Sequence, residues 1–173
     1  MVPNPETWTA PDGTPVTIRP IRAADFEIER EFVDKLSSAS GYQRLMSTRR
    51  PSTDEIKRFT DIDYEREMAL IATVVVDGIE RQVAVARYVK EASVPGQAEF
   101  AIVLADDWQQ RGLGRKLLSS LFAVAEQKGV RRIVGIVLST NSGMLALARR
   151  LGFKLAPDPT SATITMLTLD LAS

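Results

Sequence analysis

Apolar and polar positions follow two different periods along this chain, and each change of period predicts the boundary of a helix or a strand. From residue 24 to residue 36, apolar side chains recur at helical spacing with charged residues between them, which predicts an amphipathic helix. A second helix is predicted to begin near Ser52, because Ser52 and Glu55 have the spacing of a capping box, and to end around residues 61–67. Between the two helices, glycine, serine and proline in residues 37–51 predict a loop with a short helical turn.

Strand-like runs surround two Asp-Gly pairs. Asp12-Gly13 separates two stretches rich in threonine and β-branched residues, and Asp77-Gly78 separates two longer apolar runs, so each pair predicts a β-hairpin. The apolar run that starts at Ala98 predicts a third consecutive antiparallel strand after the second hairpin. Residues 131–138 and 161–171 predict two further strands, of which the second closes the sheet.

Two more helices are predicted in the second half of the chain. After Trp108 the apolar spacing becomes helical again, and Gly129 can close that helix in the left-handed conformation. The next helix is predicted to run from Asn141 or Ser142, either of which can act as its N-cap, to Gly152. The pattern therefore predicts an α/β (α+β) fold, with a mixed, mostly antiparallel central sheet flanked by about four helices.

Length and composition are those of a folded globular protein. The 173 residues predict a single domain, residues 1–173, in which residues 1–13 form an amino-terminal strand or tail. The 22 basic and 22 acidic residues balance, so bulk charge does not indicate a nucleic-acid partner. No apolar run reaches the roughly 20 residues that span a bilayer, and the amino terminus lacks the features of a secretory signal. We therefore expect a cytoplasmic protein with no nucleic-acid or membrane partner.

The sequence contains neither cysteine nor histidine. Their absence excludes disulfides, cysteine nucleophiles, Ser-His-Asp triads and the usual zinc sites. Acid-base chemistry in this chain therefore depends on carboxylates, tyrosines, lysines or backbone groups, and no metal is expected.

A glycine-containing loop lies between the strand that starts at Ala98 and the helix after Trp108. This glycine loop consists of Gln109, Gln110, Arg111, Gly112, Leu113, Gly114 and Arg115. Unpaired N–H groups and the helix dipole favour an anion at such a helix start, and glycine lets a phosphate approach the backbone. In a second interpretation, the glycines only shape the turn.

The spacing within the glycine loop differs from two common nucleotide-binding patterns. A Walker loop needs a Gly-Lys-Ser/Thr ending, and a dinucleotide fingerprint needs a third glycine where this chain has Leu117. ATP and NAD are therefore poor matches to the loop.

The stretch QQRGLG, residues 109–114, resembles the Gln/Arg-x-x-Gly-x-Gly/Ala signature of the GNAT superfamily of N-acetyltransferases. The order of predicted elements agrees, and NSGMLALARRLGF resembles the superfamily's Asn-led helix that ends in Leu-Gly-Phe. The stretches VTIRPIRAAD, DIDYEREMALIA and AEFAIVLADDWQQRGLGRKLL are similar to the acetyltransferase domain of bacterial Pat-type protein lysine acetyltransferases. The resemblance extends from about Thr14 to the end of the chain.

The resemblance implies acetyl-CoA as co-substrate, with its pyrophosphate held by the amides of the glycine loop. It also implies that backbone groups of one strand segment face the pantetheine arm of acetyl-CoA. These residues are Ile102, Val103, Leu104 and Ala105. Asn141 resembles the asparagine that contacts the CoA arm, although an N-cap role explains it equally well.

The general base is expected to be Glu99. Lysine has a pKa of about 10.4, so a base must accept a proton before attack, and without histidine a carboxylate is the natural choice. The resemblance implies Glu99, and the alternative is a surface glutamate at a strand end. Where many superfamily members carry a tyrosine proposed as the general acid, this chain has Ala148 after Leu147, so no acid is assigned.

The acceptor side has weaker signals. Acidic residues within 61–67 could attract a cationic lysine, or could form a solvated helix end. Tyr42, Arg44 and Tyr64 could line the acceptor entrance.

Pat-type enzymes modify acyl-CoA synthetases, so the resemblance implies acetyl transfer from acetyl-CoA to the lysine of a protein such as an acyl-CoA synthetase, by direct attack in a ternary complex. The absence of cysteine excludes a cysteinyl acetyl-enzyme. Two alternatives stay open, namely an enzyme that acetylates a small amine and a non-catalytic module that senses acyl-CoA.

Overall fold

The computed structural model describes residues 2–36 and 51–171. Within these residues, eight strands form one sheet in the spatial order β1-β2-β3-β4-β5-β6-β8-β7. Every pair of neighbours is antiparallel except β5 and β6, which are parallel. The strands are β1 (Glu6–Thr9), β2 (Pro15–Pro20), β3 (Glu67–Val76), β4 (Ile79–Lys90), β5 (Gln97–Leu104), β6 (Arg132–Leu138), β7 (Lys154–Asp158) and β8 (Ser161–Asp170). The predicted mixed, mostly antiparallel sheet is confirmed.

Four α-helices accompany the sheet in the described part of the chain. They are α1 (Phe26–Asp34), α2 (Thr53–Thr60), α3 (Leu113–Gln127) and α4 (Ser142–Arg150), with short 3-10 turns at Ala23–Asp25 and Asp106–Trp108. The predicted caps are present: Ser52 accepts a hydrogen bond from the Glu55 N–H, and Asn141 accepts one from the Met144 N–H. Local side-chain chemistry therefore sets where these two helices begin.

The helices cover the two faces of the sheet separately. Buried residues of β3–β5 pack under α1 on one face, called the α1 face, where Phe32, Val85 and Val103 belong to one buried cluster. On the opposite face, called the α3 face, helices α3 and α4 bury a larger core that includes Tyr88 and Phe100. Because successive strand residues point to opposite faces, register alone assigns each β5 residue to one of these layers.

A cleft opens where the parallel strands β5 and β6 separate. The two strands pair only from Gln97 with Arg132 to Glu99 with Val134. Beyond that point, β5 continues to Leu104 along β4, whereas β6 continues along β8. The sheet is therefore split on one side of Glu99.

Strand β7, Lys154–Asp158, was not predicted, and the sequence assigned only one strand after α4. The run contains Pro157, which cannot donate to a sheet and so weakens the strand signal. The strand forms because it lies at the edge of the sheet, where it pairs with β8 alone. Apart from Pro51, the predicted loop over residues 37–51 lies outside the described residues, as do Tyr42 and Arg44.

Candidate active site

Glu99 lies at the vertex of the cleft. It is the last β5 residue in register with β6, opposite Val134, and it faces Val89 across the β4 pair. Its side chain belongs to the α1 face and is exposed to solvent. A carboxylate at this point can meet a molecule that approaches the cleft from the α1 face.

The glycine loop starts helix α3 beside the cleft. Gly112 is its N-cap, with a left-handed φ of +89°, and Gln110 also has a positive φ of 60°. No side chain caps this helix start, in contrast to Ser52 at α2 and Asn141 at α4. The first helical N–H bond runs from Lys116 to the Gly112 carbonyl at 3.2 Å. The preceding N–H groups are therefore suited to an anionic ligand.

Gly114 lets helix α3 approach the walls of the cleft. A Cβ at this position would lie 3.1 Å from Leu147 Cδ2 and 3.3 Å from Leu104 Cδ1, closer than ordinary van der Waals contact. Leu104 belongs to β5 and Leu147 to α4, so the helix start, β5 and α4 converge at one end of the cleft. Glycine is therefore required at the two positions for different reasons. Gly112 permits the turn, and Gly114 permits the close approach of α3 to β5 and α4.

Two cations, one in the glycine loop and one in the first turn of α3, pair with carboxylates of the amino-terminal hairpin. Arg111 pairs with Asp12 at 3.0 Å, and its guanidinium carbon lies 4.4 Å from the centre of the Trp108 ring. Lys116 pairs with Glu6 at 3.3 Å. The hydrogen bond from Ser120, opposed by partial burial and assisted by Lys116, lowers the pKa of Glu6. The Arg115 side chain is exposed and forms no ion pair with another residue that the structure describes.

Sequence reasoning missed Glu6, Asp12 and Trp8 as neighbours of this loop. Trp8 lies 3.7 Å from the position that a Cβ on Gly112 would occupy. Asp12 is 99 positions from Arg111 along the chain, so no local pattern could reveal the contact. The predicted hairpin around Asp12-Gly13 is therefore also a support for the glycine loop.

Only alternate residues of the β5 segment direct their backbone toward the cleft. The Ala105 N–H donates to the Val83 carbonyl at 2.8 Å and so points to β4. Val103, two residues earlier, has the same orientation, because backbone groups alternate sides along an antiparallel strand. Ile102 and Leu104 point the other way, and the Leu104 carbonyl accepts a bond from Gln109 Nε2 at 3.3 Å. All four residues were expected to direct backbone groups toward the cofactor. In the structure, only the backbone groups of Ile102 and Leu104 face the cleft.

The position of the missing tyrosine is apolar. Ala148 is fully buried in the core of the α3 face. Two tyrosines lie in the described residues. The Tyr64 hydroxyl donates to the Ile21 carbonyl, and burial raises the pKa of Tyr88 to about 12. Neither environment favours proton donation to a thiolate at neutral pH.

Residues 2–36 and 51–171 contain neither a metal-binding group nor a membrane-spanning helix. These residues hold no group of three or more histidine, cysteine, aspartate or glutamate side chains that could bind a metal ion. The same residues form no helix that is both long and apolar enough to cross a membrane.

Comparison with known proteins identifies the family. The model of the acetyltransferase (GNAT) domain matches residues 16–154, most of the chain. The chain belongs to the GNAT acetyltransferase family. An acetyltransferase from Pseudomonas aeruginosa is 37% identical to this GNAT protein over 153 residues, which are 88% of this chain and 82% of the relative. The acetyltransferase Pat from Mycolicibacterium smegmatis is 31% identical over 135 residues, which are 78% of this chain and 40% of Pat.

Solved structures agree with this family. The GNAT domain of S. lividans PAT matches the GNAT protein with a TM-score of 0.86 and 27% identity, over 96% of this chain and 97% of that domain. A cAMP-binding acyltransferase from Mycobacterium smegmatis matches with a TM-score of 0.67 and 25% identity, over 98% of this chain but 48% of the larger protein. The predicted fold and the predicted enzyme class are both confirmed, and the alternative of a non-catalytic sensor has no support among the named relatives.

Proposed function

We propose that this acetyltransferase transfers acetyl from acetyl-CoA to the side-chain amine of a protein lysine, in the cytoplasm and by direct attack in a ternary complex. The observation that carries the proposal is the position of Glu99 at the vertex of the β5–β6 cleft, where the start of α3 reaches the same cleft. An acyl-CoA synthetase is the proposed acceptor, because the chain resembles Pat-type enzymes and is similar to Pat. The chain spans 40% of Pat, so acceptor identity rests on this proposal.

The donor is proposed to bind along the α3 side of the cleft. GNAT family members use acetyl-CoA, and an uncapped helix start with a nearby arginine suits its pyrophosphate. Backbone groups of Ile102 and Leu104 are available to the pantetheine arm, as an added strand would use them. The Asn141 side-chain oxygen already caps α4, so any contact to CoA would use its nitrogen.

Acetyl transfer needs one proton acceptor and one stabilised oxyanion. In the proposed mechanism, Glu99 accepts a proton from the lysine ammonium, and the neutral nitrogen attacks the thioester carbonyl carbon. A backbone N–H in the cleft stabilises the tetrahedral oxyanion. The carbon–sulfur bond then breaks, CoA leaves as a thiolate, and the nitrogen loses its second proton to that thiolate or to solvent, which gives the neutral amide. A thiol with a pKa near 8.5 leaves without an acid, so the alanine at position 148 is compatible with turnover.

A small amine is the second candidate acceptor. An L-methionine sulfoximine/L-methionine sulfone acetyltransferase from Pseudomonas aeruginosa is 34% identical over 61 residues, 35% of this chain. The similarity is short compared with the match to Pat, so protein lysine remains the first proposal.

Replacing Glu99 by glutamine tests the proposed base. We expect kcat to fall about 100-fold or more, with an unchanged Kd for acetyl-CoA by calorimetry, because the substitution removes the proton acceptor but leaves the donor side intact. Glu126→Gln on the exposed surface of α3 is the matched control. A kcat for Glu99→Gln within about twofold of wild type would refute the assignment. A purified acyl-CoA synthetase assayed beside a panel of small amines decides between the two acceptors.

A further inference from the structure

The α1 face of the sheet continues past Glu99 onto β6, β8 and β7, and in the described residues none of these strands belongs to the buried cluster under α1. Ile136 of β6 is in register with Met166 of β8, and Met166 is in register with Ala156 of β7. Residues in register point to the same face, so these three side chains form one apolar row across three strands. Ile136 is 52% exposed and Met166 is 39% exposed.

Register also places the apolar row on the same face as Glu99. Glu99 pairs with Val134, and Ile136 follows two residues later on β6, which returns its side chain to the same face. The intervening Gly135 points the other way, where a Cβ would lie 2.6 Å from the Phe100 ring. The exposed row is therefore a feature of the α1 face and not of the core beneath α3 and α4.

The uncovered part of the α1 face contrasts with its covered part. Under α1, the β4 and β5 residues of this face, Val85 and Val103, are 1% and 5% exposed. Helix α1 contacts β4, and the buried cluster that α1 forms contains no described residue of β6, β7 or β8. Contiguous exposed apolar surface indicates an interaction site more strongly than single exposed apolar residues do.

The opposite border of Glu99 is acidic. Glu67, Val89, Glu99 and Val134 lie in one register row across β3, β4, β5 and β6. The exposed Asp61, Asp63 and Glu65 immediately precede β3 on the Glu67 side. Glu67 is paired with Arg87 at 3.7 Å, and the exposed Arg66 precedes it, so the excess negative charge on this side comes from Asp61, Asp63 and Glu65. A molecule over Glu99 would have this negative charge on one side and apolar surface on the other.

The two substrates approach from opposite faces of the sheet. The start of α3 lies against Ile102 and Leu104, which belong to the α3 face, whereas Glu99 belongs to the α1 face. An acceptor that reaches Glu99 must therefore approach between the acidic border and the apolar row. A small amine would leave most of that surface uncovered, whereas a folded protein would cover it.

We infer that a folded protein acceptor docks across this part of the α1 face, with apolar residues on Ile136 and Met166 and with basic residues near its lysine beside the acidic border. The inference rests on the proposed protein-lysine function and names the surface that would recognise the acceptor. The acidic border complements the positive charge of a lysine and its basic neighbours, and the apolar row is continuous with Glu99. Both features argue for an acceptor rather than for a second copy of this chain.

Substitution of the apolar row tests the docking surface. For Ile136→Asp and for the milder Met166→Gln, we expect kcat/KM for purified acyl-CoA synthetase to fall at least tenfold relative to kcat/KM for a short lysine peptide. Acetyl-CoA affinity should be unaltered in both variants. Val75→Asp is the matched control, because Val75 is 70% exposed at the β3–β4 hairpin and distant in register from Glu99.

Each outcome has one meaning. If wild type acetylates the synthetase and both variants do so equally well, the docking inference is wrong and the proposed function stands. If wild type acetylates small amines but not the synthetase, the proposed function itself fails and the docking inference fails with it. Light scattering completes the test, because a wild-type dimer that Ile136→Asp dissociates would assign the apolar row to a second copy and overturn the inference.

Discussion

At the scale of single residues, the N-cap of α3 depends on a backbone conformation that only glycine adopts easily. Gly112 has a φ of +89°, and an L side chain in the left-handed region costs roughly 1–2 kcal/mol. Space is not the limit, because the nearest atom to a Cβ there is 3.7 Å away on Trp8. The requirement at Gly112 is therefore conformational.

Alanine substitutions at two helix starts separate this requirement from ordinary helix propensity. We expect Gly112→Ala to lower the free energy of unfolding by about 1–2 kcal/mol and to weaken acetyl-CoA binding. Gly143→Ala at the start of α4 should be neutral or stabilising by up to about 1 kcal/mol, since its Cβ would meet only Asn141 Oδ1 at 3.9 Å. Urea unfolding measures both values, and equal effects would contradict the conformational explanation.

Residue-level prediction from the sequence succeeded where the signal was local. Ser52 is the N-cap of α2 and Asn141 is the N-cap of α4. Both could be predicted because each side chain bonds a backbone N–H only three residues away. The partners of Arg111 and Lys116 could not be predicted, because Asp12 and Glu6 are brought to them only by the folded sheet. The base and cofactor residues were named through family resemblance, and their roles stay predictions.

At the scale of elements, a buried ion network joins β2, the turn before α1 and β4. Arg19 donates to both Asp25 oxygens at 2.8 Å, and its second carboxylate partner is Glu80. Burial alone would raise the pKa of Asp25, but the hydrogen bonds from Arg19 and the Arg22 N–H outweigh it and lower the pKa. The hydrogen bond from Arg19 is also the largest cause that lowers the pKa of Glu80.

Removing the Asp25 charge should destabilise the protein more than removing an exposed one. The side chains of Arg19 and Asp25 are 10% and 5% exposed, so Asp25→Asn leaves a largely buried guanidinium with Glu80 as its remaining carboxylate partner and should cost about 3 kcal/mol. The control is Glu27→Gln, whose exposed pair with Arg30 should contribute at most about 0.5 kcal/mol. A thermal shift no larger than that of the control would refute this role for the network.

The same network predicts acid sensitivity. A carboxylate whose pKa is lowered by folding stabilises the protein above its unfolded pKa, near 4, and that contribution is lost as pH falls through the lower folded pKa. We therefore expect the free energy of unfolding to fall below about pH 5, and to fall less steeply in Asp25→Asn. Denaturant unfolding at several pH values measures the slope, and parallel curves for the two proteins would argue against Asp25 as a source.

Hairpins and helices were predicted more accurately than the sheet edge. The Asp12-Gly13 and Asp77-Gly78 turns are present, and in both the glycine has a positive φ. Strand β7 escaped prediction because a five-residue run with a proline carries little local signal, and its pairing with β8 depends on the tertiary fold.

At the scale of the whole molecule, the absence of cysteine constrains the kinetic mechanism. Direct attack requires both substrates to be bound together, so double-reciprocal plots at varied acetyl-CoA and acceptor should intersect. Parallel lines would indicate an acetyl-enzyme and contradict the proposed ternary complex. Alkylation with N-ethylmaleimide should leave the rate unchanged, since the chain has no cysteine to modify.

The whole-molecule prediction from sequence reached the family but not the acceptor. The glycine loop and the order of elements were sufficient for the fold, as the TM-score of 0.86 to the S. lividans PAT domain confirms. The exposed row on β6 and β8 could not be recognised, because alternation shows which residues share a face but not whether a helix covers that face.

The short parallel pairing between β5 and β6 also has a mechanical consequence. Three register pairs, from Gln97–Arg132 to Glu99–Val134, make up the β5–β6 ladder, so few strand-to-strand backbone bonds join the two halves of the sheet at this seam. Local opening is cheapest where few backbone bonds must break. A ligand that contacts both β5 and α4 would link the two halves of the sheet across that seam. Cofactor occupancy would then determine how rigidly Glu99 is held toward an acceptor.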